Sequence, residues 1–322
     1  MPHPPELTLL LHRALEPRLG HLLELCGTAG WPEDPESLHQ VRIASRRVRA
    51  VLDLVDPGLY PGFKKHARQL RRLTRALGLT RELDVHALTL EALSECLPDP
   101  LQTASVEHLL EGLEHKRRRA REVMQHDLER VSLKDLDRLL EPPSSPDPVV
   151  MAGLPHAVWV CLEPWIRAVE EALPPLLNQE KNAELHDLRI HVKRLRYALE
   201  ILEPAFPTPL EDWLQRLKAL QTALGQHHDQ AVLEAFLWES HGTLTAHRRS
   251  ALASGVLDLL GLVAEERRAH FEDFRVLGRV HREAVLFFHL KQALDKAPGA
   301  RAERRWAVRV PWLSQRKASS TA

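Results

Sequence analysis

The segment LHQVRIASRRVRAVLDLVDP (38–57) returns 147 positions later as LHDLRIHVKRLRYALEILEP (185–204). The register holds without a gap as far as LRRLTRALG (70–78) against LKALQTALG (217–225). An offset kept across two apolar-periodic segments and the loop between them implies two similar helical modules related by a pseudo-two-fold axis. A chain built this way must place whatever the repeat carries twice, on two elements of the same kind.

Those elements read as helices. Apolar residues recur at three- and four-residue spacing, strict alternation is missing, and Phe, Trp and Tyr together make up only 5% of the 322 residues. The expected class is all-α, built as two helical modules. Helices are expected at 5–26, 36–55, 62–78, 81–96, 101–131, 151–173, 183–202, 209–224, 228–240 and 244–293, the last broken near Gly261 or Gly278. The single glycines of the two ALG pieces, Gly78 and Gly225, read as helix stops. The proline-dense stretch EPPSSPDPV (141–149) cannot continue a helix and lies near the middle of the chain. The division is therefore a first module at 1–140, a linker at 141–150, a second module at 151–295 and a basic tail at 296–322. Cys26, Cys96 and Cys161 are far apart and lack CxxC spacing, which fits a reducing cytoplasm and argues against a disulfide framework or a cysteine zinc site. The first residues read as an amphipathic helix rather than a signal peptide, and no apolar run is long enough to span a bilayer.

What the repeat carries is charge. On a helix at 100° per residue, Val41, Val48, Leu52 and Val55 share one side, and His39, Arg42, Arg46 and Arg49 form a narrow arc on the other. The second copy puts Leu188, Leu195, Leu199 and Leu202 opposite His186, Arg189, Lys193 and Arg196. Tyr197 lies beside that stripe, and Arg47 and Arg194 lie on the flanks. Each stripe runs ~15 Å at about 1.5 Å per residue. A third stripe follows in Lys65, Arg68, Arg72 and Arg75. Trp159, Trp165, Trp213 and Trp238 fall in patterns that read as core.

Lys+Arg and Asp+Glu both total 44, so the formal net charge is zero. That neutrality is a cancellation between regions: 39–75 holds ten Lys/Arg and two acids, whereas 76–114 holds one Arg and eight acids. Aligned cations on one helix face repel one another by a few tenths of a kcal/mol per pair. Local partners such as Arg49–Asp53 and Arg196–Glu200 are too few to neutralise the rows, so their anions are expected from a ligand. Guanidinium forks grip phosphate oxygens bidentately, and an extended row suits a linear chain of phosphates. Single-strand nucleic-acid binders add aromatic stacking platforms. Only Tyr197 stands on a stripe here, so a phosphate chain without bases is favoured over RNA or DNA.

HxxRxxxRRxR at 39–49, HxxRxxxKRLRY at 186–197 and the LxxLxxALG segments that follow resemble the CHAD family, the conserved-histidine α-helical domain. The likeness runs from the first helix to about residue 295. It implies two pseudo-symmetric helical bundles with a basic cavity between them, binding of inorganic polyphosphate, and association with polyphosphate granules. RELD (81–84) stands where the family commonly has RDxD, and HHDQ (227–230) is the second-module counterpart. Lys65, Arg68, Arg72 and Arg75 correspond to Asp212, Gln215, Ala219 and Thr222, so the first module is expected to make more phosphate contacts. No companion triphosphate-hydrolase domain is expected within these residues.

The reading is therefore a cytoplasmic, non-enzymatic polyphosphate binder with no cofactor and no metal. Its contacts are expected from Arg42, Arg46, Arg47, Arg49, Arg189, Lys193, Arg194, Arg196 and Tyr197, with His39 and His186 donating and Lys65, Arg68, Arg72 and Arg75 extending the track. The neighbours His227, His228 and Asp229 point different ways on a helix, which disfavours a metal site. Glu82 and Asp84 are expected to anchor arginines or helix starts. Alternative readings are a nucleic-acid-backbone binder, a phosphohydrolase or phosphohistidine carrier, and a scaffold whose basic face meets an acidic protein.

Overall fold

The computed structural model describes residues 5–28, 30, 32–55, 58, 62–95, 97, 99–131, 136–141, 153–177, 181–283 and 286–296. Their regular structure is helical: α1 (Pro5–Gly27), α2 (Pro35–Leu52), α3 (Phe63–Ser94), α4 (Pro100–Glu129), α5 (Leu154–Leu176), α6 (Asn182–Leu202), α7 (Glu211–Ala246), α8 (Ser250–Glu283) and α9 (Leu286–Asp295), with short 3-10 turns at Leu136–Leu140 and Glu203–Ala205. The starts of α2 and α6, α3 and α7, and α4 and α8 are separated by 147, 148 and 150 residues. Local chemistry sets several of these starts. Asp34 accepts a bond from Ser37 N at 2.7 Å and Asp99 from Leu101 N at 2.8 Å, each followed by a proline whose missing N–H costs a helix start nothing.

The expected stops at Gly78 and Gly225 do not occur. Both glycines lie inside helices, so 62–78 and 81–96 form the single α3, and 209–224 and 228–240 form the single α7. One interior glycine costs about 1 kcal/mol relative to alanine. Continuous burial of Leu73, Leu77, Thr80 and Leu83 across the first junction outweighs that. Gly261 and Gly278 likewise lie within α8. The chain turns at 247–249 instead, where Arg248 takes a left-handed conformation (φ 58°) and Arg249 N bonds Leu244 O at 2.9 Å, closing α7.

Two apolar clusters hold the helices. The larger joins α1, α2, the first half of α3, α5, α6, the first half of α7, the end of α8 and α9, with Met124 of α4. The smaller joins the second halves of α3 and α7 to α4 and α8. Each cluster draws on both sides of the proline-rich stretch. Residues 142–150 of that linker and 297–322 of the tail lie outside the described residues, as does Cys96. α8 crosses α4 closely: a Cβ at Gly255 would stand 2.2 Å from Ser105 Oγ and 2.9 Å from Leu101 O. Trp159 is buried, and Trp165 and Trp213 pack half-buried against the larger cluster. Trp238, expected in the core, is 52% exposed, because it sits on the outward side of α7 with its ring edge-on to His241. Among the described residues no helix is long and apolar enough to cross a membrane.

Candidate anion-binding groove

α2 packs directly against α6, and each turns its stripe toward the other. Positions separated by 147 meet there. Arg42 and Arg189 are close enough to repel, as are Arg46 and Lys193. Ala50 and Tyr197 line the same cavities. Farther along, Ser105 Oγ donates to Leu252 O at 3.2 Å, again 147 positions away. Positions that meet their own repeat partners are what a two-fold relation between the halves produces near its axis.

Because α3 and α7 continue past their interior glycines, they carry Arg81, His228 and Asp229 to the same place. Arg81 adds its charge to Arg42 and His39. His186 Nδ1 lies 3.4 Å from His228 Nδ1, with ring centroids 4.5 Å apart. His227, its neighbour, turns the other way, is buried and packs against Phe271. Arg189 runs beside Gly225, with Nε 3.8 Å from where a Cβ would stand.

The electrostatics follow from this crowding. Burial, then the charges of Arg46, Arg189, Arg42 and Arg194, push the Lys193 ammonium down to about 7. Burial, then Arg46, Arg81 and Arg189, bring Arg42 down to about 10, with Asp229 opposing. Arg46 and Arg49 are lowered chiefly by burial, and burial followed by Arg189 takes His228 down to about 4. Asp229 is open to solvent on one side and enclosed on the others. Enclosure holds its carboxyl above the usual range despite the pull of Arg189, Arg42, Arg81 and Arg46. Arg42 Nε and His39 Nδ1 are buried without a hydrogen-bond partner among the described residues. An unpartnered buried donor such as Arg42 Nε is costly. Among the described residues no group of three His, Cys, Asp or Glu side chains is placed to hold a metal ion.

Residues 13–238 match the family model described as the CHAD domain. The chain belongs to the CHAD family. Among solved structures it is similar to the CHAD domain from the plant Ricinus communis, at 20% identity and a TM-score of 0.61, covering 84% of this chain and 91% of that one. It is also similar to PptA from Streptomyces chartreusis, at 17% identity and a TM-score of 0.60, covering 87% of this chain and all of that one. At these identities the likeness establishes the shared fold. No curated protein matches the chain.

Within this CHAD domain the sequence-derived residues separate into groups. Arg42, Arg46, Arg189 and Lys193 cluster where α2 meets α6, with His39 beside Arg81 and His186 beside His228. Arg49 and Arg194 line a side cavity of about 240 Å³ with Asp53, Trp165 and Tyr197, and Arg194 lies over the Trp165 ring at 5.2 Å. Arg75 and Arg71 reach Arg49 through their charge. Lys65, Arg68 and Arg72 are exposed along α3 and line none of the cavities described for the groove and its flanks. Arg196 is held by its own module: it ion-pairs with Glu200, donates to Gln221 Oε1 at 2.8 Å and stacks on Tyr197 at 4.5 Å. Arg47 faces a separate cavity. Asp84 is buried and paired with Arg117 at 2.8 Å, an arginine anchor. Arg81 and Asp229 were missed as groove residues. Arg81 is the repeat partner of His228, and Glu82 of Asp229, so extending the register past the glycines would have exposed them.

Proposed function

We propose that this CHAD protein binds inorganic polyphosphate without turning it over, in the groove between α2 and α6. One observation carries the reading: Arg42, Arg46, Arg81 and Arg189 surround Asp229 as a common acid, and Lys193 adjoins Arg42, Arg46 and Arg189. Four arginines around one carboxylate, with Lys193 beside them, leave the space starved of negative charge, and an anion of high charge density relieves their mutual repulsion. A run of phosphates supplies that charge along the line of the two stripes, with oxygens for bidentate guanidinium contacts and for the unpartnered Arg42 Nε.

Calorimetric titration with polyphosphates of several lengths at two salt concentrations tests this. Affinity is expected to rise with chain length and fall steeply with salt as counterions are released. Replacing Arg42→Ala and Arg46→Ala together is expected to weaken binding on the order of a hundredfold, given roughly 1.5–3 kcal/mol per charged hydrogen bond. Unchanged affinity in a folded double variant removes the groove from the binding site. Displacement by RNA at equal phosphate concentration favours the nucleic-acid reading. Released phosphate or phosphohistidine after incubation with polyphosphate and magnesium overturns the non-enzymatic one. The same reading puts the protein in the cytoplasm at polyphosphate granules; a fluorescent fusion that stays diffuse in polyphosphate-rich cells counts against that placement.

A further inference from the structure

A second cavity, of roughly 500 Å³, opens between α1, α2 and α6 on the far side of the helix crossing. It is the repeat counterpart of the side cavity that holds Arg49 and Arg194. Arg47 here occupies the position of Arg194 there, and Glu200 that of Asp53, each pair 147 residues apart. Ala50 and Tyr197, themselves a repeat pair, line both cavities and separate them. A track that leaves the central groove on one side of the crossing thus meets an equivalent opening on the other.

The two cavities differ in one telling position. The side cavity holds Trp165, whose ring backs Arg194. Its counterpart is Arg18, so this cavity presents two guanidinium groups, Arg18 and Arg47. Arg18 spends one Nη1–H on Ala14 O at 2.7 Å, which leaves most of its five donors to other acceptors. The acid present, Glu200, is already ion-paired with Arg196. Burial lowers Arg18, which Glu200 opposes and Arg47 reinforces, so the two arginines feel each other directly. Two adjacent guanidinium groups beside a carboxylate committed elsewhere form an acceptor-seeking site.

We infer that the cavity lined by Arg18 and Arg47 is a second anion subsite, taking the phosphates of a chain that runs out of the central groove past Tyr197. The inference rests on the polyphosphate reading of the groove and extends it to the opposite face of α2. It makes the two exits unlike: in one, Arg18 stands beside Arg47, and in the other the equivalent place is the Trp165 indole that backs Arg194, with Arg46, Arg49 and Lys193 on the same wall. A short chain fills the groove alone, and a long one also reaches Arg18 and Arg47.

The test compares tripolyphosphate with long-chain polyphosphate by calorimetry on the full chain. The Arg18→Met/Arg47→Ala variant is expected to lose about tenfold in affinity for the long chain, the equivalent of 1.4 kcal/mol, with less than about a twofold change for tripolyphosphate. Arg47→Ala alone, at an exposed position, is expected to show part of the same length-selective loss even if the double variant folds poorly. Equal losses for both ligands, or none for the long chain in the folded variants, overturn the subsite. Wild-type protein that binds neither ligand overturns the polyphosphate reading itself, an outcome distinct from either.

Discussion

Lys193 shows what the groove costs the free protein. Its folded pKa of about 7 lies far below the ordinary value of 10.5. Below pH 7 the ammonium is charged in both folded and unfolded chains, and the folded state bears the whole penalty. As pH rises from about 7 toward 10.5 the folded group deprotonates first, the unfolded chain holds more protons, and stability increases. Lys193→Met is therefore expected to stabilise the unliganded protein by about 1 kcal/mol, less than the full shift implies because water screens the groove. It should also weaken polyphosphate binding; chemical denaturation and titration of the same variant check both. A bound polyanion reverses the penalty and raises the pKa of Lys193 and of His228, which starts from about 4. Binding near neutral pH should then take up protons, and affinity should fall as pH rises above about 7. Calorimetry in buffers of different ionisation heat measures the uptake, and proton release would contradict this account.

Helix continuity, an element-scale property, decides which side chains reach the groove. Reading Gly78 and Gly225 as stops confined the stripes to α2, α6 and the start of α3. In the fold, α3 and α7 run through those glycines and bring Arg81, His228 and Asp229 alongside Arg42 and Arg189. Propensity argued for a stop, but it is a weak prior against continuous burial on one helix face. No atom outside the helix backbone approaches a Cβ at Gly78 within 4 Å. Gly78→Ala is therefore expected to raise stability by up to about 1 kcal/mol, read as a shift in the denaturation midpoint at constant slope. A loss of stability would mean that the helix needs the glycine where nothing crowds it. Gly255 is the opposite case: it is required by the close passage of α8 over Ser105.

For the molecule as a whole, the two apolar clusters each take helices from both halves of the chain. Fragments 1–141 and 142–322 are accordingly expected to be unfolded or aggregated when made separately and to gain cooperative melting when mixed. An independent, cooperative transition in either fragment would overturn this. The repeat, the all-helical class and the opposed apolar and basic faces of α2 and α6 could be read from the chain alone, because 3.6-residue periodicity and a constant offset are local and translational properties. Whether the two basic rows face each other, and which further residues join them, belongs to the tertiary structure. That depends on how α2 crosses α6, which apolar burial decides over distances that periodicity does not encode. Packing leaves Arg68 and Arg72 on an outer surface, and it adds Gln221 of α7 to the Glu200 one turn along α6 that already holds Arg196, although all three arginines carry the charge pattern of a groove residue. Charge pattern names the candidates, and packing selects among them, because a cation's role is set by the acceptors within its reach.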